Sequence, residues 1–214
     1  MKPLSLLEQL LDRAVVAIIR ANDASKLVDV AEALVAGGVT AMEVTFTVPR
    51  APQVLEKVAD RLGGKILLGA GTVLDAATAR IAILAGAEFI VSPVVSHEVI
   101  ACCRRYSKLS LPGAFTPTEI LTAWEAGADI VKVFPSEFTG PAYLKAVRAP
   151  LPQVRLMPTG GVNLQTAAEF LRAGACALGI GGSLVEAKAV AAGDFGRIEN
   201  LARQYMAILR ESKV

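Results

Sequence analysis

An α/β fold of eight parallel strand–helix units closed into a barrel, behind one extra N-terminal helix, is the architecture this sequence predicts, and three observations carry it. Short apolar runs recur with helix-like stretches between them, the alternation left by parallel sheets with right-handed crossovers. A weak internal repeat, Ala36-Gly37-Gly38, Ala85-Gly86-Ala87, Ala126-Gly127-Ala128 and Ala173-Gly174-Ala175, comes just before every second run. The core composition is aliphatic: 53% of residues are hydrophobic but only 5% aromatic, as where helices cover both faces of a sheet.

The expected strands are Val15–Ile19, Ala41–Thr45, Lys65–Gly69, Phe89–Ser92, Leu109–Pro112, Ile130–Phe134, Arg155–Pro158 and Ala177–Ile180. The repeat glycines read as helix C-caps in the left-handed region. Their regular spacing suits a closed (β/α)8 TIM barrel better than a doubly wound sheet, whose strand order must reverse. No linker, low-complexity tract or charge block interrupts the chain, so residues 1–214 read as one domain. Residues 1–13 read as a short amphipathic helix, since a long apolar core and a small-residue cleavage site are both missing.

Composition excludes several classes of function. A formal charge of +2, spread without a dense Lys/Arg block, leaves no electrostatic footprint for nucleic acid or an anionic membrane. No apolar run approaches the length of a membrane span, so the expected setting is cytoplasmic and the expected partner a small molecule. Cys102, Cys103 and Cys176 lack metal-like spacing and read as small buried hydrophobes of a reducing compartment. The single histidine, His97, stands where a helix should begin and reads as a surface residue. A metal site built from imidazoles is thereby excluded, although carboxylate-bound Mg²⁺ is not.

In a parallel barrel the active site gathers at the C-terminal ends of the strands. The polar residues expected there are Arg20, Glu43, Thr45, Thr72, Lys132 and Thr159-Gly160-Gly161. Strand alternation sets Glu43 opposite Met42 and Val44, and Lys132 opposite Val131 and Val133, so both charges point inward if the branched residues meet the helices. Two explanations fit an enclosed lysine and glutamate. They could neutralise each other as a structural ion pair, an arrangement that desolvation makes a poor stabiliser. Alternatively they form an amine and a proton carrier. A lysine attacks a ketone only when neutral, so its pKa must fall well below the ordinary value of about 10.4, which burial and a nearby cation such as Arg20 would achieve.

Two glycine-rich turns supply an anion-binding end. Pro158-Thr-Gly-Gly161 follows the seventh expected strand, and Gly179-Ile-Gly-Gly-Ser183 follows the eighth, ahead of a helix. Either alone could be an ordinary loop. Together, at these two strands, exposed backbone N–H groups point to phosphate.

Through these segments the sequence resembles the 2-keto-3-deoxy-6-phosphogluconate (KDPG) and 4-hydroxy-2-oxoglutarate (KHG) aldolase family. The matching motifs run in order along the chain: Glu43-Val-Thr, Gly69-Ala-Gly-Thr72, Phe89-Ile-Val-Ser-Pro93, Pro112-Gly, Thr116-Pro-Thr-Glu119, Lys132-Val-Phe-Pro135, Pro158-Thr-Gly-Gly-Val-Asn163 and Gly181-Gly-Ser183. The resemblance implies a homotrimeric class I aldolase on a (β/α)8 barrel, with no metal and no cofactor. It assigns Lys132 the Schiff base and Glu43 the acid/base role. Arg20 and Thr72 then lie near the substrate carboxylate and hydroxyls, Pro93, Phe134 and Thr159 line the pocket, and Gly160, Gly161, Gly182 and Ser183 bind phosphate. The implied reaction splits KDPG to pyruvate and glyceraldehyde 3-phosphate, with KHG giving pyruvate and glyoxylate; the galactonate epimer is the alternative substrate. Many relatives carry arginine where this chain has Thr47, which leaves Arg20, or Arg50, to hold the carboxylate; the place of Arg20 at a strand end favours it. A phosphate-binding barrel that isomerises its ligand, or only senses it, is the rival reading.

Overall fold

The computed structural model describes residues 4–21 and 24–212. Helix α1 (Leu6–Arg13) is followed by β1 (Val15–Ile19), α2 (Leu27–Ala36), β2 (Ala41–Thr45), α3 (Ala51–Leu62), β3 (Leu67–Gly71) and α4 (Ala76–Leu84). Next come β4 (Phe89–Val91), α5 (His97–Arg105), β5 (Leu109–Leu111), β6 (Gly113–Ala114), α6 (Pro117–Glu125) and β7 (Val131–Val133). A 3₁₀ turn (Ser136–Phe138), α7 (Gly140–Arg148), β8 (Leu156–Pro158), α8 (Ala167–Arg172), β9 (Leu178–Ile180), α9 (Ala187–Ala192) and α10 (Phe195–Ser212) complete the order.

Every strand pair is parallel. A six-stranded sheet, ordered β5-β4-β3-β2-β1-β9, curves through half a barrel, and β6-β7-β8 form a second sheet of three. The eight-stranded ring expected from the sequence is thus drawn as two arcs. Pro112 separates β5 from β6 because it has no N–H to give the ladder, yet its carbonyl still accepts from Lys132 N at 2.9 Å. At the other junction Thr159 pairs with Gly179 in an isolated parallel bridge, and Cys176 N donates to Leu156 O at 2.9 Å.

The two faces of the strands bury different cores. Val16, Ala41, Leu67, Phe89, Leu109, Ile130, Met157 and Ala177 share one cluster, which Leu10 of α1 completes. Met42, Val44, Val131 and Val133 belong to the other cluster, with the helices. Glu43 and Lys132 therefore point to the face away from the helices, as alternation requires. Leu10 is wholly buried while its neighbours on α1 are only partly so, which makes α1 a plug for that inner core. The helix begins at Leu6, capped by a reciprocal Ser5–Glu8 box; residues 1–3 of the segment read from sequence lie outside the described residues.

The repeat glycines do what their spacing predicts. Gly38, Gly86, Gly127 and Gly174 have φ of 94°, 102°, 98° and 95°. The next amide in each case reaches back five residues, as in Val39 N to Leu34 O and Ala128 N to Ala123 O, which is the Schellman closure. A fifth helix closes the same way on Ser107, at φ 54°, where the sequence carries no glycine to mark it.

The third strand lies two residues later than expected, at Leu67–Gly71 instead of Lys65–Gly69. Lys65 N still bonds to Leu62 O in the turn after α3, and the strand continues into glycines that an apolar count passes over. Gly69 is needed there because a Cβ would lie 2.2 Å from the Phe89 ring. The helix expected straight after Gly181-Gly-Ser183 also starts late. Gly181 O first accepts from Leu184 N and Val185 N in a separate turn, and the six-residue α9 begins only at Ala187.

Candidate active site

The C-terminal ends of the strands open onto a cavity of about 460 Å³. Arg20 after β1, Thr72 after β3, Pro93 after β4, Lys132 from β7 and Phe134 just after it, Thr159-Gly160-Gly161 after β8, and Gly182 and Ser183 after β9 all line it. Ten of the twelve residues singled out from the sequence therefore meet in one place, while Thr45 is wholly buried, its hydroxyl 2.8 Å from that of Thr47. Glu43 is the other exception. It is 1% exposed and lies behind the wall, against Gly71.

Lys132 is 7% exposed, and that surface faces the cavity. Burial holds its amine below the ordinary lysine value; the charge Glu43 would carry pulls it back up, and Arg20 pushes it down again. For Glu43, burial raises the carboxyl above the ordinary range, with Lys132 and then Arg20 opposing. Desolvation is the largest influence on both groups, and it drives each toward its neutral form. No ion pair joins them among the described residues, so the structural-pair explanation left open by the sequence is not the arrangement found. The carboxyl's Oε2 is buried without a hydrogen-bond partner. Lys132 Nζ lies 4.8 Å from the Phe134 ring centre, against a π face that favours its cationic form.

Thr72 has φ 60°, a conformation that a β-branched side chain adopts only under constraint and that costs on the order of 1–3 kcal/mol. Its position at the end of β3, on the cavity wall, puts that strain in the site. Gly160 and Gly161 have φ of 84° and 74°, and a Cβ on Gly161 would lie 2.6 Å from Glu137 Cα, so this turn requires glycine. Asn163 steadies the loop beyond: its Oδ1 accepts from Gln165 N at 2.9 Å and Thr166 N at 3.0 Å.

Sequence reasoning missed Ser136. Its hydroxyl donates to Val133 O at 2.7 Å and accepts from Thr159 N at 3.2 Å, while its amide donates to Thr159 O at 2.8 Å. It ties the end of the lysine strand to the glycine turn. Only the proline before it hinted at a structured turn. Ile18, Val162, Val185 and Ala187 also line the cavity, and as ordinary apolar residues they gave no signal.

Arg50 caps α3 at φ 58° on the exposed surface and is not part of the cavity wall, whereas Arg20 is. His97 opens α5, exposed, as expected. Cys102 and Cys103 are buried, while Cys176 is only partly so. A second cavity, of about 480 Å³, lies at the other end of the strands under α1. Two of its three charged residues are already engaged: Lys108 pairs with Glu88 at 2.7 Å, and Asp129 accepts from Ser110 N at 2.8 Å.

A desolvated amine beside a desolvated carboxyl, at the strand ends of a parallel β/α sheet, is an arrangement that suits carbonyl chemistry. Comparison with known proteins agrees with that geometry, for residues 7–201 match the family model described as KDPG and KHG aldolase. The chain belongs to this family, whose members are lyases of the aldolase type. It is 40% identical over 197 residues to the 2-dehydro-3-deoxy-phosphogluconate aldolase of Treponema pallidum, covering 91% of each chain. It is 36% identical over 156 residues to the 2-dehydro-3-deoxy-6-phosphogalactonate aldolase of Escherichia coli, covering 72% of this chain and 76% of that one. Among solved structures, the KDPG aldolase of Legionella pneumophila, with pyruvate captured as a covalent carbinolamine, superposes with a TM-score of 0.86 at 28% identity, over 94% of this chain and 97% of that one.

Proposed function

We propose that the chain is a class I aldolase that cleaves KDPG to pyruvate and glyceraldehyde 3-phosphate through a Schiff base on Lys132. One observation carries the reading: the Lys132 amine is buried, kept below its ordinary pKa, free of an ion pair with Glu43, and open to the cavity. A neutral amine in that setting is a nucleophile. The two strand arcs are read as one closed (β/α)8 barrel, with the bridge at Thr159–Gly179 as its seam.

Lys132 Nζ attacks the C2 ketone, and the protonated Glu43 carboxyl supplies the proton that the new alkoxide takes up. Loss of water leaves a cationic imine. Glu43, now a carboxylate, accepts the C4 hydroxyl proton directly or through one water as the C3–C4 bonding pair flows into the imine. Glyceraldehyde 3-phosphate departs and an enamine remains. Protonation at C3 by the same carboxyl, then hydrolysis, frees pyruvate and the amine. Arg20 is assigned the substrate carboxylate, with Thr72 beside it. The amides of Gly160, Gly161, Gly182 and Ser183 hold the phosphate, fixing the breaking bond by binding at the far end. Pro93, Phe134 and Thr159 shape the walls. The working form is taken to be a homotrimer.

Release of pyruvate from KDPG, from its galactonate epimer and from KHG tests the proposal. Fastest turnover of KDPG is the expected result. Binding of all three acids without pyruvate release would replace the aldolase with a sugar-phosphate sensor, and conversion without carbon–carbon cleavage would make it an isomerase.

A further inference from the structure

Among the described residues two side-chain oxygens are buried with no hydrogen-bond partner, Glu43 Oε2 and Thr159 Oγ1. Each side chain rests against a glycine of the neighbouring strand. A Cβ on Gly71 would lie 2.4 Å from Glu43 Oε1, and one on Gly179 would lie 2.2 Å from Thr159 Oγ1. The strand pairing brings them together: Gly71 of β3 stands opposite Thr45 of β2, two residues beyond Glu43, and Gly179 of β9 bridges to Thr159. Neither glycine has a positive φ, so the backbone would accept alanine at both positions. What excludes a side chain is the neighbour's oxygen.

We propose that Gly71 and Gly179 are positioning residues, whose missing side chains form slots that seat the Glu43 carboxyl and the Thr159 hydroxyl while leaving their lone pairs unused. A buried oxygen without a partner is destabilising, and a site that must offer that oxygen to a substrate is where such an arrangement is kept. The inference rests on the aldolase reading, and it divides the labour between the slots. Gly71 acts through a proton carrier, so filling its slot should fall on kcat. Gly179 acts through the buried hydroxyl of Thr159, a cavity-wall residue, so filling its slot should fall on KM.

Steady-state cleavage by Gly71→Ala and Gly179→Ala tests this, alongside pyruvate trapping with borohydride and thermal melts of the same variants. Gly71→Ala should lose about tenfold or more in kcat, with KM within about threefold and the Lys132 adduct still formed. Gly179→Ala should raise KM about fivefold or more, with kcat within about threefold. Near-wild-type kinetics in either folded variant would overturn the proposal. Should either variant fold poorly, the doubles Glu43→Ala/Gly71→Ala and Thr159→Ala/Gly179→Ala decide it. Relief of the clash predicts melting above the corresponding glycine single variant, and melting at or below it would refute the slots. A wild type that neither traps nor cleaves would sink the aldolase reading alone, because the melting comparison needs no activity.

Discussion

Lys132 and Phe134, two residues apart on the lysine strand and its extension, share one face, with the amine 4.8 Å from the ring centre. Burial and Arg20 press the amine toward neutrality, and the ring opposes them by stabilising the cation. Replacing Phe134 with leucine keeps the wall apolar and removes that opposition, worth about 2 kcal/mol for a desolvated cation and so on the order of one pH unit. Because the neutral amine is the reactive form, the acid limb of kcat/KM against pH should move to lower pH. A shift to higher pH would mean that the ring serves to exclude water.

Glu43 makes stability depend on pH in a direction that can be stated in advance. Burial raises its pKa, so between the ordinary value of about 4.3 and the raised one the folded chain keeps a proton that the unfolded chain has lost. Stability therefore falls as pH rises through that window. Glu43→Gln should be more stable than wild type at about pH 8, with the gap closing below about pH 4; each tenfold change in proton affinity is worth about 1.4 kcal/mol. Denaturant melts across this range read it directly. The same variant should turn over about a hundred- to ten-thousand-fold more slowly, with the imine still formed but at a reduced rate, as water replaces the carboxyl as proton donor to the alkoxide.

Arg20 lines the cavity and Arg50 does not, which separates the two candidate carboxylate ligands. Arg20→Ala should raise KM about 10- to 100-fold, the loss expected for a charge-assisted hydrogen bond. Arg50→Gly, which suits the left-handed backbone at that position, should leave KM within about twofold. The opposite ranking, in steady-state kinetics, would move the carboxylate to the start of α3.

Much of this was legible in the chain because the signals were local. Period-two alternation placed Glu43 and Lys132 inside the sheet, and the Ala-Gly repeat marked four helix ends. What stayed hidden depends on partners distant in sequence. Gly71 extends β3 past the expected end at Gly69, with Glu43 occupying the space its side chain would need. Ser136 reads as a loop residue until Thr159 is brought against it from β8. Ser107 adopts the glycine conformation without glycine, held by the same backbone closure as its four counterparts.

The most direct test of the central claim is mass spectrometry of the protein after incubation with pyruvate and borohydride. Reduction of an imine should leave one pyruvate-derived adduct on the peptide that contains Lys132, and none in Lys132→Met. An unmodified Lys132 peptide, or an adduct carried by another lysine, would contradict the account.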